Sequence, residues 1–412
     1  MNLITRWALV AVAMAGLAAC AGRPTGVLAP VAAAAPDATR IDMLVATTRL
    51  KSADAGIMFG GERGPAPAFA EMQISIPADA RRKVGEVQWP ASLPGNPTTE
   101  FVTLIATELT VEKARARLHE RTAKTPHRRV LLFVHGFNNR FDDAVYRFAQ
   151  IVRDSGVKAV PVLFSWPSRG SLWAYGYDRE STNYSRDALE ELLQALAKDP
   201  AVGEISILAH SMGNWLALEA LRQMSIRNGR VSHKIKAIML AAPDVDVNVF
   251  RSQIAATSRA GGPHVTLFVS QDDRALAVSR RVWGDVARLG AIDPTSEPYK
   301  TDLAADRISV IDLTKLNAGD SLHHGKFAAS PEVVRMIGAR LASGQAMSDP
   351  RVGLGEHIGG AATGVAATVG SAAGLVLSAP IMIVDPHTRE NFGHHLRQVG
   401  AGAADLAGAA AH

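Results

Sequence analysis

From residue 129 to about residue 344 the chain repeats one pattern: a short apolar run rich in β-branched residues, a turn, then a longer segment with apolar residues on one helical face. The runs are VLLFVHG, AVPVLFSW, EISILAH, IKAIMLAAP, HVTLFVS and ISVIDL. A strand that is apolar at nearly every position must be covered on both faces. Strands separated by helices join through crossover connections, which place them parallel. The pattern therefore predicts an α/β fold with a mostly parallel central sheet and helices on both faces. Three earlier runs, IDMLVATTR, AEMQISIP and FVTLIATELT, are divided by Gly and Pro clusters and predict the first strands of that sheet. Ser185 is expected to cap a helix presenting Leu189, Leu192, Leu193 and Leu196 on one face, and Ser330-Pro331 to open the last helix.

Within this pattern the stretch ISILAHSMGNWLALEALRQM changes from strand-like to helix-like around Ser211. A reversal that tight needs small neighbours, and Ala209 and Gly213 satisfy the G-x-S-x-G spacing with Ala in first place. Such a turn sets the hydroxyl over the carboxyl edge of the sheet, beside the N-terminus of the next helix, where peptide dipoles favour developing negative charge. The competing reading is a serine that merely caps that helix.

A serine hydroxyl is a weak nucleophile until a base takes its proton, and the chain has 13 histidines. In serine hydrolases built on this turn the acid and the histidine follow the serine. His135 belongs to an earlier turn, His210 adjoins the serine and is expected to point away from it, and His264 begins a strand. His357, His387, His394 and His395 lie in the atypical tail, where fixed geometry is not expected, and the preferred candidates are His323 and His324, in GDSLHHGKF after the last strand. Four aspartates follow strands in candidate positions for the acid: Asp244 and Asp246 in IMLAAPDVD, and Asp272 and Asp273 in HVTLFVSQDDRAL. A carboxylate there would fix the tautomer of the histidine and stabilise its cation; the other reading of each is a turn or cap residue. Asp244, Asp246 and Asn248 also begin like a calcium loop, but the required Gly and distal Glu are missing. With neither a metal motif nor a nucleotide loop in the sequence, no cofactor is expected.

Taken together, VLLFVHGFNNRFDDAVYRFAQI, SWPS, LAHSMGN, LAAPDVD, VSQDDRAL and HGKFAASPEV resemble the bacterial α/β-hydrolase family of uncharacterised function, in the esterase/lipase superfamily. The likeness spans most of residues 40–345. It implies an α/β-hydrolase fold in which Ser211 is the nucleophile and the backbone N–H groups of Phe137 and Met212 form the oxyanion hole. The run Ser-x-x-Asp-x-x-Leu places the acid at Asp273, and the histidine aligns with His324 rather than His323. Gly325 and Lys326 depart from the Ser and aromatic that the resemblance leads one to expect. The implied activity is hydrolysis of a carboxylic ester, of a small molecule or a lipid, through an acyl-enzyme. Acyl transfer or peptide cleavage on the same fold, or a non-catalytic envelope scaffold, are the competing functions. The aromatic stretch SWPSRGSLWAYGYDRESTNYS, residues 165–185, is expected to be a loop selecting acyl or aryl groups, unless its rings pack into the core.

The termini differ from this domain. MNLITRWALVAVAMAGLAAC has Arg6 before an apolar run too short for a comfortable membrane span, as in a secretory signal. Leu17, Ala18, Ala19 and Cys20 resemble the lipobox of bacterial lipoproteins, which implies cleavage before Cys20 and acylation of its thiol. Ala21 after the cysteine then implies the outer membrane, with the domain facing the periplasm. Cys20 is the single cysteine, so no internal disulfide is expected. Residues 20–39, mostly Ala, Pro and Gly, read as a flexible tether, and 346–412 as a Gly/Ala-rich tail. In that tail residues 358–384 carry no charge and contain two G-x-x-x-G spacings, which fits either membrane contact or a low-complexity surface segment. The net charge of +5 comes from Lys and Arg scattered along the chain, which argues against nucleic acid as a partner. Oligomeric state has no signature here.

Overall fold

The computed structural model describes residues 24–257, 262–305, 308–317 and 321–343. Cys20, the segment 1–19 and the tail segment 358–384 lie outside these. Strands β1 (Thr39–Lys51), β2 (Phe59–Ile76) and β3 (Val102–Leu109) come first, then helix α1 (Val111–Ala123). Strand and helix then alternate: β4 (Arg129–Val134), α2 (Phe141–Ser155), β5 (Val160–Ser165), α3 (Tyr175–Lys198), β6 (Glu204–His210) and α4 (Met212–Asn228). The series continues with β7 (Ile235–Ala241), α5 (Val247–Thr257), β8 (His264–Val269), α6 (Arg274–Val282), α7 (Tyr299–Ala305) and β9 (Ser309–Asp312). Two helices, α8 (Lys326–Ala329) and α9 (Pro331–Ser343), complete the described chain.

All nine strands form one sheet in the order β3-β2-β1-β5-β4-β6-β7-β8-β9. β2 pairs antiparallel with both neighbours, whereas every pairing from β1 to β9 is parallel. This is an α/β-hydrolase fold. Its two faces are read directly from alternate residues of β4: Leu131 and Phe133 pack with Phe148 and Ile151 of α2 and Ile337 of α9. Val130, Leu132 and Val134 pack on the other side with Leu189, Leu216, Leu221 and Ile254. Each such side chain contributes about 1.5–3 kcal/mol on burial, against about 0.5–1 kcal/mol of lost rotamer freedom for a Leu or Ile. Burial wins, and a strand apolar on both faces has no stable place except the middle of the sheet.

Three expectations are corrected. Residues from 24 onward do not behave as a tether: Val27 and Leu28 are buried in the core, and the Tyr146 hydroxyl donates to the Val27 carbonyl at 2.9 Å. The Leu28 and Val31 N–H groups also donate to the Gly56 and Thr103 carbonyls, at 3.0 and 2.9 Å, so the segment is fastened by its backbone as well as by its two large apolar side chains. Ser185 is not a cap, because α3 begins ten residues earlier and Ser185 is buried against Thr48 with their hydroxyls 2.7 Å apart. By the same extension most of the expected loop 165–185 is helix. Of its rings, Trp166 is fully buried, Tyr177 and Tyr184 lie under the Arg63 guanidinium, and Trp173 stands free at 99% exposure. Ser330-Pro331 does open α9, with the Val333 N–H reaching the Ser330 hydroxyl at 3.4 Å.

Candidate active site

Ser211 sits between β6 and α4 with φ 53° and ψ −124°, a region costing a non-glycine residue about 1–3 kcal/mol. Its side chain makes no capping hydrogen bond, so the reading of Ser211 as a helix cap fails. Four bonds hold the strained turn. The Ser211 N–H donates to the Ala241 carbonyl at 2.9 Å, and the Ser211 carbonyl accepts from the Asn214 N–H, the Asn214 amide side chain and the Asp244 N–H. The close approach also dictates two glycines. A Cβ on Gly213 would lie 2.2 Å from the His135 carbonyl oxygen, and one on Gly136 would lie 2.8 Å from the Ser211 Cβ.

The turns after β8 and β9 supply the other groups. Asp273 is wholly buried and divides its carboxylate: Oδ1 accepts from the Leu276 N–H at 2.9 Å, capping α6, and Oδ2 lies 2.7 Å from Nδ1 of His324. A carboxylate accepts only, so the His324 proton sits on Nδ1 and Nε2 is left as an acceptor. His324 and Ser211 line the same cavity of about 600 Å³. Phe137, next in the wall, follows β4 at the turn beginning His135-Gly136. Among the described residues neither the Phe137 nor the Met212 N–H is bonded to a protein acceptor. The second histidine of the pair and the remaining aspartates are engaged elsewhere. His323 pairs with Asp272, Nδ1 to Oδ2 at 2.7 Å, and is not part of the cavity wall. Asp244 accepts from the Tyr175 hydroxyl at 2.7 Å and the Ser279 hydroxyl at 2.6 Å. Asp246 accepts from the Asn248 N–H at 2.7 Å, at the start of α5.

Several residues around the site had no clear signal in the sequence. His210, expected to point away from the serine, lines the same cavity; its ring centre is 4.8 Å from that of His324 and 4.7 Å from that of Phe327. Burial, reinforced by the neighbouring His324, holds it well below the usual histidine range. Arg49, buried at the end of β1, donates to the carbonyls of Asn139 and Ser168, each at 2.8 Å, and of Gly60 at 2.9 Å. It thereby ties down the turn that carries Phe137. Burial lowers its pKa to about 10, so it stays charged at neutral pH. Beside it His135 stacks on Trp166 and is driven down to about 3 by burial and by the Arg49 charge. Lys326, also buried, donates to both Asp272 oxygens and to the Leu313 and Thr314 carbonyls. A double Asp in one turn and a double His in the other, with a lysine two residues on, was the only trace of this network.

The cavity wall is apolar on the side of Val87, Trp89, Leu276, Val278 and Phe327, and polar at Asn138, Asp143 and Arg147. Leu172, Val278 and Val282 line it and are also 67%, 58% and 60% exposed, so its rim is apolar toward solvent. Among the described residues no helix is long and apolar enough to cross a membrane.

Comparison with solved structures finds distant likenesses. A protein assigned as a cell surface hydrolase of Lactobacillus plantarum WCFS1 aligns at 13% identity and TM-score 0.32, over 54% of this chain and 93% of the other. Fungal esterases from Rhizomucor miehei align at 12% and 0.31, over 75% and 83%. Dipeptidyl peptidase 4 of Porphyromonas gingivalis aligns at 13% and 0.29, over 63% and 33%. At these scores nothing about activity is carried over. No curated protein matches the chain. The family described as alpha/beta hydrolase of unknown function (DUF900) matches residues 111–340, more than half of the chain and all of the turns that carry Phe137, Ser211, Asp273 and His324. This protein belongs to that alpha/beta hydrolase family.

Proposed function

We propose that the protein is a serine hydrolase acting on carboxylic esters, with Ser211 as nucleophile, His324 as base and Asp273 as the carboxylate that orients it. The observation that carries this reading is the convergence on one cavity of a serine in a strained strand-to-helix turn and a histidine whose Nδ1 is held 2.7 Å from a buried carboxylate. Ser211 Oγ attacks the ester carbonyl while its proton passes to Nε2 of His324. The Phe137 and Met212 N–H groups receive the oxyanion, each such donor contributing about 3 kcal/mol. His324 then returns the proton to the departing alcohol, and water repeats the sequence to free the acid.

The apolar rim and half-apolar cavity favour an acyl chain as the acid part. They also fit a protein held at the outer membrane, facing the periplasm, by an acylated Cys20, which is the location we propose. The test is covalent labelling with a fluorophosphonate, together with turnover of 4-nitrophenyl esters of graded chain length. The wild type is expected to label and turn over, and Ser211→Ala to do neither. Labelling that survives Ser211→Ala sinks the assignment, and absence of labelling in the wild type favours a non-catalytic scaffold.

A further inference from the structure

A second, smaller pocket of about 220 Å³ adjoins the main cavity, and Tyr175 and Asp244 form part of both walls. Met212, whose N–H is one of the two oxyanion donors proposed above, also lines it. Two arginines open into this pocket. Arg179 of α3 stands over Trp215, its Cζ 3.9 Å from the ring centroid. Burial holds Arg179 below the ordinary arginine value. Arg288 is 7% exposed, and its Nε is a buried donor without a hydrogen-bond partner, 3.5 Å from Asp244 Oδ1.

The balance of donors and acceptors is what distinguishes the pocket. Each guanidinium carries five N–H donors, and among the described residues neither guanidinium makes a hydrogen bond. The carboxylates nearby are already used. Asp244 accepts from the Tyr175 and Ser279 hydroxyls and forms an ion pair with Arg288 at 3.5 Å, and Asp246 accepts from the Asn248 and Val249 N–H groups. The Arg288 Nε is a buried donor without an acceptor, which is costly, and a guanidinium edge matches the geometry of a planar or tetrahedral oxyanion.

We infer that this pocket is a subsite for an anionic oxygen group, a carboxylate or phosphate carried by the substrate, next to the ester that Ser211 would attack. The inference rests on the hydrolase reading for the position of the ester and deepens it: the substrate is an ester that bears its own anion. Tyr175 and Asp244 then form the partition between the reacting centre and the anion, and Trp215 and Trp283 flank the bound group.

Two measurements test this. The first compares kcat/KM for monobutyrylglycerol phosphate and for uncharged monobutyrylglycerol. The wild type is expected to favour the phosphate ester by about tenfold or more, the value of one charge-assisted hydrogen bond, and Arg179→Gln and Arg288→Lys to bring the ratio toward unity. Equal wild-type rates on the two esters, or a preference that survives both substitutions, overturns the inference while leaving the hydrolase reading standing. The second is independent of turnover: quenching of tryptophan fluorescence by inorganic phosphate and by glutarate. Saturable quenching lost in Arg179→Gln supports the subsite even if no ester is cleaved. Quenching unchanged by the substitution, or none at all, counts against it. Including vesicles of an anionic phospholipid in the same titration separates a lipid headgroup from a soluble anion as the source.

Discussion

Asp273 carries two loads on two oxygens, and substitutions can lift them one at a time. In Asp273→Asn the side chain keeps its shape and one oxygen, and Asn is as good a helix cap as Asp, so the 2.9 Å bond from the Leu276 N–H is retained. The other position becomes an amide NH₂ facing Nδ1 of His324 at the former 2.7 Å contact. Two donors cannot share that contact, so the imidazole takes the other tautomer, with its proton on Nε2, and cannot accept the proton of Ser211. The expected loss in turnover is about 10⁴-fold, with little change in unfolding free energy. Asp273→Ala loses both bonds. Removing the cap costs about 1 kcal/mol, and stranding buried donors adds about 1–3 kcal/mol, for a total near 2–4 kcal/mol. Urea unfolding ranks stability, and the second-order rate of fluorophosphonate labelling ranks the nucleophile. The expected order is wild type level with Asn and above Ala in stability, but wild type far above both in labelling. Asp273→Asn retaining more than about a tenth of the labelling rate would refute the orienting role, and equal stability of the Asn and Ala variants would refute the capping role.

Two further outcomes follow from the buried groups around the serine. Ser211→Gly removes a side chain from φ 53°, ψ −124°; relief of about 1–3 kcal/mol exceeds the roughly 0.5–1 kcal/mol entropic cost of glycine. Ser211→Gly should therefore be more stable than Ser211→Ala in urea, and equal midpoints would mean that the turn stores no strain. His135, with a usual pKa of 6.5 and a folded value of about 3, stays neutral in the folded state where the unfolded chain takes up a proton. Its contribution is present above pH 6.5 and is lost as pH falls toward 3, by about 2 kcal/mol between about pH 7 and pH 5. Asp142, raised to about 6 by burial and by Asp143, works in the opposite direction over part of that range. The readout is therefore the difference in slope between wild type and His135→Gln, and parallel slopes would exclude His135 as the source.

The fold was legible because its signal is repeated. Each of the nine apolar runs read from the sequence is a strand, and the signal is plainest in β4 and β5, where every position is buried. What failed were the ends of elements and the weakly apolar segments. The first turns of α3 are rich in Asp, Arg, Ser and Thr, and no helical stripe marks them. They are held instead by contacts remote in sequence: Ser185 with Thr48, and Arg63 with Ser181 and the Tyr177 ring. Val27 and Leu28 likewise acquire their places only once Tyr146 and Thr103 are beside them. A sequence window cannot contain both sides of such a contact.

The pairing of the acids with the histidines was ambiguous for a related reason, and Lys326 supplies the physical resolution. Two adjacent aspartates follow β8 and two adjacent histidines follow β9. Because β8 and β9 are parallel neighbours, paired from Thr266↔Ser309 to Val269↔Asp312, the two turns meet at one edge of the sheet. Proximity alone would let either aspartate serve either histidine. Asp272, however, is saturated: its oxygens accept from Ser270, His323 and, twice, the buried Lys326 ammonium. The Lys326 bond holds it below the usual carboxylate range despite partial burial. Asp273, one residue on, is left for His324. The lysine that departs from the residue expected by family resemblance thus closes off the crossed pairing, and its ties to the Leu313 and Thr314 carbonyls pin the start of the turn that carries His324.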